Sequence, residues 1–285
     1  MNTIFETHIE PFIINALKED IGDGDHTTLA TISKNQQAES YLLAKSNGIL
    51  AGITIAERIF NYVDPTLKFE ALYTEGEQIK TGDTIFTVKG NAQSILTAER
   101  IVLNTLQRMS GIATITRSIV NQIKHTEAQI LDTRKTTPGI RFLEKWAVKI
   151  GGGQNHRFGL FDMILIKDNH IDTTGGIEQA LSKTKTYLEK NQKKLPIEIE
   201  VRNFDELNQV LTFGGVDRIL LDNFTPTELI KAVEIIDNKF PSEASGNITP
   251  DNVLEYAQTG VKYISMGYLT HSVASLDLSL KIKIN

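Results

Sequence analysis

From Gln129 to Met266, short runs rich in β-branched residues alternate with amphipathic stretches of helical spacing, and this alternation limits the fold more than any other feature. Strands are predicted at 129–133, 162–167, 196–201, 218–222, more weakly at 241–244, and at 262–266. Helices fit between them at 138–149, 176–190, 204–213, 226–239 and 250–259. Thr137-Pro138, Thr225-Pro226 and Thr249-Pro250 each read as an N-cap followed by a proline in the first helical position. Repeated βα units make parallel strands, because a parallel neighbour needs a long crossover and a helix supplies it. The expected fold class is therefore α/β, ending in an incomplete, six-stranded parallel α/β barrel, with a doubly wound sheet as the alternative.

Residues 1–125 differ in character and read as a compact α+β unit, which places the barrel at 126–285. A helix is predicted from His8 to Glu19, strands at 38–45 and 67–73, and a helix at 53–63 between them. GEQIKTGDTIFTVKG, with two glycine turns, reads as a hairpin. GDGDHTT at 22–28 lacks the later Glu of a calcium loop, so turn and capping roles are expected for Asp23 and Asp25. A helix from Ala92 to about Ile123 carries Arg100 and Arg108 eight residues apart, with Ser110-Gly111 as a predicted break. From pattern alone these two arginines read as a solvated helix face.

The polar residues of the second half fall at one edge. Arg134 and Lys135 follow the first strand, Lys167 and Asp168 the second, Glu200 ends the third, Asp222 the fourth, Glu243 and Ser245 the fifth, and Gly267 follows the sixth. In parallel α/β folds the carboxyl ends of the strands hold the ligand. The segment 130–171 carries seven Lys or Arg (Arg134, Lys135, Arg141, Lys145, Lys149, Arg157, Lys167) against four carboxylates, plus His156, His170 and a triple glycine, in a chain of formal net charge −5. A local cationic run in an acidic chain points to a small anionic ligand, not to nucleic acid. Glu200 and Asp222 suit ribose hydroxyls or a Mg²⁺. Ser245-Gly246-Asn247 and Met266-Gly267-Tyr268 place glycine after a strand and before a helix, where backbone N–H groups cradle a phosphate. No Walker lysine motif and no GxGxxG is present. The chain has no cysteine, which excludes disulfides, thiolate metal sites and a Cys nucleophile. With no leader-like segment and no apolar run of membrane-spanning length, a cytoplasmic protein without membrane partners is expected.

DTRKTTPGIR at 132–141, GGGQNHR at 151–157, LIKDNHI at 165–171, EIEV at 198–201, LLDNF at 220–224, EASGN at 243–247 and ISMGYLTHS at 264–272 together resemble the quinolinate phosphoribosyltransferase family, also called decarboxylating nicotinate-nucleotide pyrophosphorylases. EDIGDGDHTT at 19–28 and AERIVLNTLQRMSGIAT at 98–114 extend the resemblance over nearly the whole chain, and Tyr268 departs from it at a position where small residues are frequent.

The resemblance implies an N-terminal open sandwich before the incomplete barrel, and a reaction of quinolinate with 5-phosphoribosyl 1-pyrophosphate. Its products would be nicotinate mononucleotide, pyrophosphate and CO₂, in NAD biosynthesis, with Mg²⁺ as cofactor. By matching positions, Arg134, Thr136, Arg157 and Lys167, with His156 nearby, would bind quinolinate, and Arg100 would complete that pocket from the other subunit of a homodimer. Lys135 would meet the pyrophosphate. Glu200 and Asp222 would meet the ribose and the metal, and Ser245, Gly246, Asn247, Met266, Gly267 and Tyr268 the 5-phosphate, with His271 close by. Lys135, Glu200 and Asp222 would carry the catalysis. A phosphoribosyltransferase acting on nicotinate or another aromatic acid is the alternative. A non-catalytic anion-binding protein would have no use for Glu200 and Asp222 facing phosphates.

Overall fold

The computed structural model of the chain describes residues 3–284. In chain order the elements are α1 (Thr3–Ile21), α2 (His26–Thr31), β1 (Gln37–Ala44), β2 (Gly48–Ile49), α3 (Ile53–Val63), β3 (Lys68–Ala71), β4 (Gln78–Ile79), β5 (Thr84–Asn91) and α4 (Ala92–Ile123). They continue with β6 (Gln129–Leu131), α5 (Arg141–Ile150), β7 (Ile164–Ile166), α6 (Asp168–Thr174), α7 (Ile177–Lys190), β8 (Ile197–Val201) and α8 (Phe204–Phe213). The last are β9 (Arg218–Asp222), α9 (Pro226–Ile236), β10 (Ser242–Ser245), α10 (Val253–Ala257), β11 (Tyr263–Ser265), α11 (Tyr268–His271) and β12 (Leu278–Ile284). Contacts divide the chain into two compact units, Met1–Arg117 with Thr136–Gly152 and Leu269–Asn285, and Ser118–Lys135 with Gly153–Tyr268. The division expected at 125/126 follows the chain, whereas these units are discontinuous in sequence. The tail joins the first unit because β12 pairs antiparallel along β1, from Ala38 opposite Ile284 to Ala44 opposite Leu278.

The first unit has an antiparallel sheet of order β12-β1-β5-β3 and a two-stranded pair β2-β4. Burial along β1 alternates with period two, so one face points into a core. Phe60 of α3 meets Phe69 of β3 at 6.0 Å and Phe86 of β5 at 5.9 Å between ring centroids. Phe60 and Phe86 are fully buried, and each such side chain contributes about 1.5–3 kcal/mol. On the helical side, α1 lays Phe12 edge-on to Phe142 of α5 and stacks Phe5 on Trp146. This is the open sandwich.

Three expectations for this unit change. The 76–90 stretch is not a hairpin, because β4 pairs with β2 while β5 pairs with β1 and β3. Ser110-Gly111 does not break α4. Ser110 Oγ accepts the Ala51 N–H and donates to the Ala51 carbonyl, and a Cβ on Gly111 would collide with the Ala274 carbonyl oxygen. Both residues are small to permit close packing. Thr137-Pro138 does not open α5, which begins three residues after the proline, at Arg141, with Ile140 as N-cap. The Thr137 N–H and hydroxyl donate instead to Glu144. GDGDHTT does cap a helix, with the Asp25 carboxylate accepting the Thr28 N–H at 3.0 Å.

The second unit has a six-stranded sheet of order β6-β11-β10-β9-β8-β7, parallel at every pairing. All five residues of β8 are buried, as in a strand covered on both faces. From β7 to β11 the order follows the sequence without the reversal of a doubly wound sheet. β6 then adds beyond β11, and Gln154, on the way to β7, bridges Leu131 in parallel fashion. The strands thus wrap into the incomplete barrel. Thr225 caps α9 through a capping box with Glu228 and proline at the first turn. Thr249-Pro250 falls short of this, since α10 starts at Val253 with Asn252 as N-cap.

Candidate active site

Strand alternation sets the polar geometry of the second unit. On β8, Glu198 and Glu200 share one face, as do Arg218 and Asp222 on β9, and Glu243 and Ser245 on β10. Register places Glu198 opposite Arg218, and Glu200 and Glu243 both opposite Leu220.

At the strand ends, Lys167 Nζ lies 3.3 Å from Glu200 Oε2. Burial pushes the Glu200 carboxyl up, Lys167 opposes that shift, and Asp222 adds to it. Burial also pushes the Asp222 carboxyl up, against a 2.6 Å hydrogen bond from Asn223 Nδ2 and the cations Lys167 and Lys135. Burial and the neighbouring Arg134 cation both lower the Arg157 guanidinium. Arg134 and Arg157 therefore form one cationic pair, and Lys135, Lys167, Glu200 and Asp222 share one field. A cationic pair beside a cation–acid cluster suits an anionic ligand. Two acidic oxygen donors at adjacent strand ends also fit a hard cation such as Mg²⁺.

The two glycine-centred turns follow their strands. Asn223 N–H donates to the Ser245 carbonyl at 2.8 Å, and Asn247 Nδ2 to Asn223 Oδ1 at 3.2 Å. Gly246 has φ +101°, and a Cβ there would overlap the Asn223 side chain. Met266 is buried and its N–H donates to the Leu131 carbonyl at 3.0 Å, which anchors the turn carrying Gly267 and Tyr268.

Next to these groups lies a buried polar layer, of which the sequence reading named His156 and Glu243 and missed Asp132, Glu198 and Arg218. His156 Nδ1 accepts the Arg157 N–H at 2.7 Å, and His156 Nε2 is 2.9 Å from Glu198 Oε2 and 3.6 Å from Glu243 Oε1. Arg218 Nη1 reaches Glu243 Oε2 at 2.8 Å and Glu198 Oε1 at 3.9 Å, with its guanidinium over the Tyr263 ring. Burial and the neighbouring Glu198 push the Glu243 carboxyl up to about 7. Asp132, fully buried after β6, accepts the His156 N–H at 2.9 Å and a hydrogen bond from Asn155. The available signals were the Glu-x-Glu of β8 and the Asp in DTRK.

Arg100, Thr136 and His271 belong to the first unit, as do Arg141, Lys145 and Lys149. The cationic run is therefore divided between the units. Arg100 is exposed on α4 and Lys145 is fully buried in α5. Thr136 Oγ1 accepts from Arg141 Nε at 2.9 Å, and His271 Nδ1 lies 2.6 Å from Ser272 Oγ. Arg108 donates to the buried Glu144 and to the carbonyls of Val273 and Thr270, so it is not a solvated cation.

An incomplete parallel barrel with paired cations and carboxylates at its strand ends defines an α/β enzyme for small anionic substrates. Known proteins narrow this. The family model "Quinolinate phosphoribosyl transferase, N-terminal domain" matches residues 25–110, and its C-terminal counterpart matches 112–281. A relative from Nicotiana tabacum, "Quinolinate phosphoribosyltransferase [decarboxylating] 1b", is 48% identical over 94% of this chain and 80% of its own. Among solved structures, NadC from Streptococcus pyogenes aligns with TM-score 0.91 at 36% identity, covering 97% of each chain. The nicotinate-nucleotide pyrophosphorylase from Francisella tularensis aligns with TM-score 0.90 at 38% identity, over 97% of this chain and 96% of its own. The chain belongs to the quinolinate phosphoribosyltransferase family.

Proposed function

We propose that the chain transfers the phosphoribosyl group of 5-phosphoribosyl 1-pyrophosphate to quinolinate and releases pyrophosphate and CO₂, forming nicotinate mononucleotide for NAD biosynthesis. The observation that carries this reading is a pair of cations, Arg134 beside Arg157, together with a cation–acid cluster, Lys167 on Glu200 next to Asp222. Two adjacent guanidiniums match the two adjacent carboxylates of quinolinate, where nicotinate has one. Arg134, Arg157 and Lys167 hold the acid, with Thr136 and His156 in the same sequence motifs. Lys135 takes the pyrophosphate, and Ser245 to Asn247 with Met266 to Tyr268 take the 5-phosphate, His271 following that second turn.

As pyrophosphate leaves, the ribose C1 gains oxocarbenium character, and the anionic Glu200 and Asp222 stabilise that charge while Lys135 stabilises the leaving group. Orientation of the pyridine nitrogen toward C1 by the cationic pair converts a bimolecular encounter into a positioned one. Once alkylated, the nitrogen is a quaternary pyridinium whose positive charge stabilises the carbanion left on C2 when the adjacent 2-carboxylate departs as CO₂, and C2 then takes a proton from solvent. Glu200 and Asp222 would hold Mg²⁺, which supplies charge neutralisation at the diphosphate.

A homodimer and a cytoplasmic location complete the proposal. Arg100 stands exposed on α4, where a second copy can use it, and no described helix is long and apolar enough to cross a membrane. The test follows pyrophosphate by ³¹P NMR in protein supplied with the diphosphate, Mg²⁺ and either quinolinate or nicotinate. Pyrophosphate should form with quinolinate; formation with nicotinate alone would transfer the assignment to the alternative acceptor.

A further inference from the structure

Two stretches that carry proposed substrate contacts have no regular structure of their own to hold them. Residues 133–140, which follow β6 and contain Arg134, Lys135 and Thr136, lie outside every helix and strand, and so do residues 272–277, which follow His271 at the end of α11. Backbone groups in such segments must find partners elsewhere. Within the first unit, one ion pair supplies partners to both. Glu144, fully buried in the first turn of α5, accepts the Thr137 N–H on Oε2 at 3.0 Å and the Thr137 hydroxyl on Oε1 at 2.8 Å. The same Oε1 accepts from Arg108 Nε at 3.0 Å and from Arg108 Nη2 at 2.8 Å. Arg108 also donates from Nη1 to the Val273 carbonyl at 3.3 Å and from Nη2 to the Thr270 carbonyl. A carboxylate is costly to take out of water unless its acceptor sites are filled, and these four hydrogen bonds fill those of Glu144.

We propose that Arg108 and Glu144 are positioning residues that clamp the 136–140 loop and the 270–273 turn to α4 and α5, and so fix Thr136 and His271 for the two substrates. An ion pair that served helix packing alone would not direct its hydrogen bonds to the main chain of two loops. Neighbouring contacts act in the same direction. The Gln107 carbonyl accepts the Leu276 N–H at 2.9 Å, and Gln107 Nε2 donates to the Leu278 carbonyl at 2.9 Å, so the chain beyond His271 is laid along α4. On the other side, Arg141 Nε donates to Thr136 Oγ1 at 2.9 Å, one residue before Thr137. The planar fork of an arginine is what lets one side chain hold a carboxylate and two carbonyls together; a lysine presents a single point charge.

The inference rests on the proposed function for the identity of the two substrates, and its first test uses neither. Arg108→Lys keeps a cation beside Glu144 but loses the fork that reaches the two carbonyls. In hydrogen exchange of the unliganded protein, amides at 271–276 of this variant should exchange about tenfold faster or more, while those of β1 and β5 keep wild-type rates. Acceleration spread evenly over the first unit, or none at all, overturns the clamp. The second test is kinetic and turns on Thr137, which is exposed and so can be replaced in a folded protein. Thr137→Val removes one donor to Glu144, and Thr137→Ser keeps it. Thr137→Val should raise the KM for quinolinate by about fivefold, with Thr137→Ser close to wild type. Arg108→Lys should act instead on the KM for the diphosphate, by about tenfold. Wild-type constants in Thr137→Val, equal losses for both substrates in both variants, or Thr137→Ser as impaired as Thr137→Val overturns the positioning role. Wild-type protein that turns over no quinolinate would refute the proposed function instead, and the exchange result would still decide the clamp.

Discussion

At the scale of single residues, the site is a set of charges whose placement costs stability and returns recognition. Burial and the Arg134 cation lower the Arg157 guanidinium, and Glu198 and Asp162 oppose that shift. Replacing Arg134 by Ala should raise the KM for quinolinate by the equivalent of about 2–5 kcal/mol, because a bound carboxylate would lose its partner; unchanged steady-state kinetics would remove Arg134 from the site. Glu243 gives a pH signature. Its folded-state value of about 7 lies above the ordinary 4.5, so its proton favours the folded chain. That contribution is fully present below the ordinary value and is lost as pH rises through the folded one. Glu243→Gln does not titrate there, so the stability of the wild type relative to this variant should fall between those two values in denaturant unfolding. A difference that stays flat across the window contradicts the buried, proton-holding carboxyl. Reading the chain as sequence locates Arg134, Lys167, Glu200 and Asp222, because each stands at the end of an apolar run. Glu198 and Arg218 escape it, since a charged residue alternating with apolar ones in a strand reads as solvent-facing until the sheet curls and buries that face.

At the scale of elements, local propensity and tertiary packing disagree most clearly in α4. Helix propensity alone predicts that Gly111→Ala stabilises by about 1 kcal/mol. The structure predicts the opposite sign, because the new Cβ would meet the Ala274 carbonyl oxygen and Val273. Urea unfolding decides between them: a lower midpoint supports the packing account and a higher one contradicts it. The predicted helix break at Ser110-Gly111 fails for the same physical reason, since small residues that serve close approach look like residues that serve flexibility. RILLD and IEIEV are legible as strands because covered parallel strands are continuous apolar or β-branched runs. β12 is not, because LSLKIKI gains its place only by pairing with β1 at the opposite end of the chain. The 76–90 stretch misleads because glycine turns mark where the chain reverses without specifying which strand it returns to.

At the scale of the whole molecule, the proposed dimer makes a prediction that no single chain can satisfy. Arg100 is exposed in the first unit and Lys135 belongs to the second. If Arg100 completes the site of the other subunit, mixing inactive Arg100→Ala and Lys135→Ala proteins should restore part of the activity, since some mixed dimers would contain one intact site. Verified mixed dimers without activity would remove Arg100 from the shared site. The central claim, a decarboxylating phosphoribosyl transfer, is tested most directly by release of ¹⁴CO₂ from quinolinate labelled in the 2-carboxyl group, with and without 5-phosphoribosyl 1-pyrophosphate and Mg²⁺. Label should be released only when the diphosphate and the metal are both present. Folded protein that releases none under those conditions, or releases it without the diphosphate, contradicts the account.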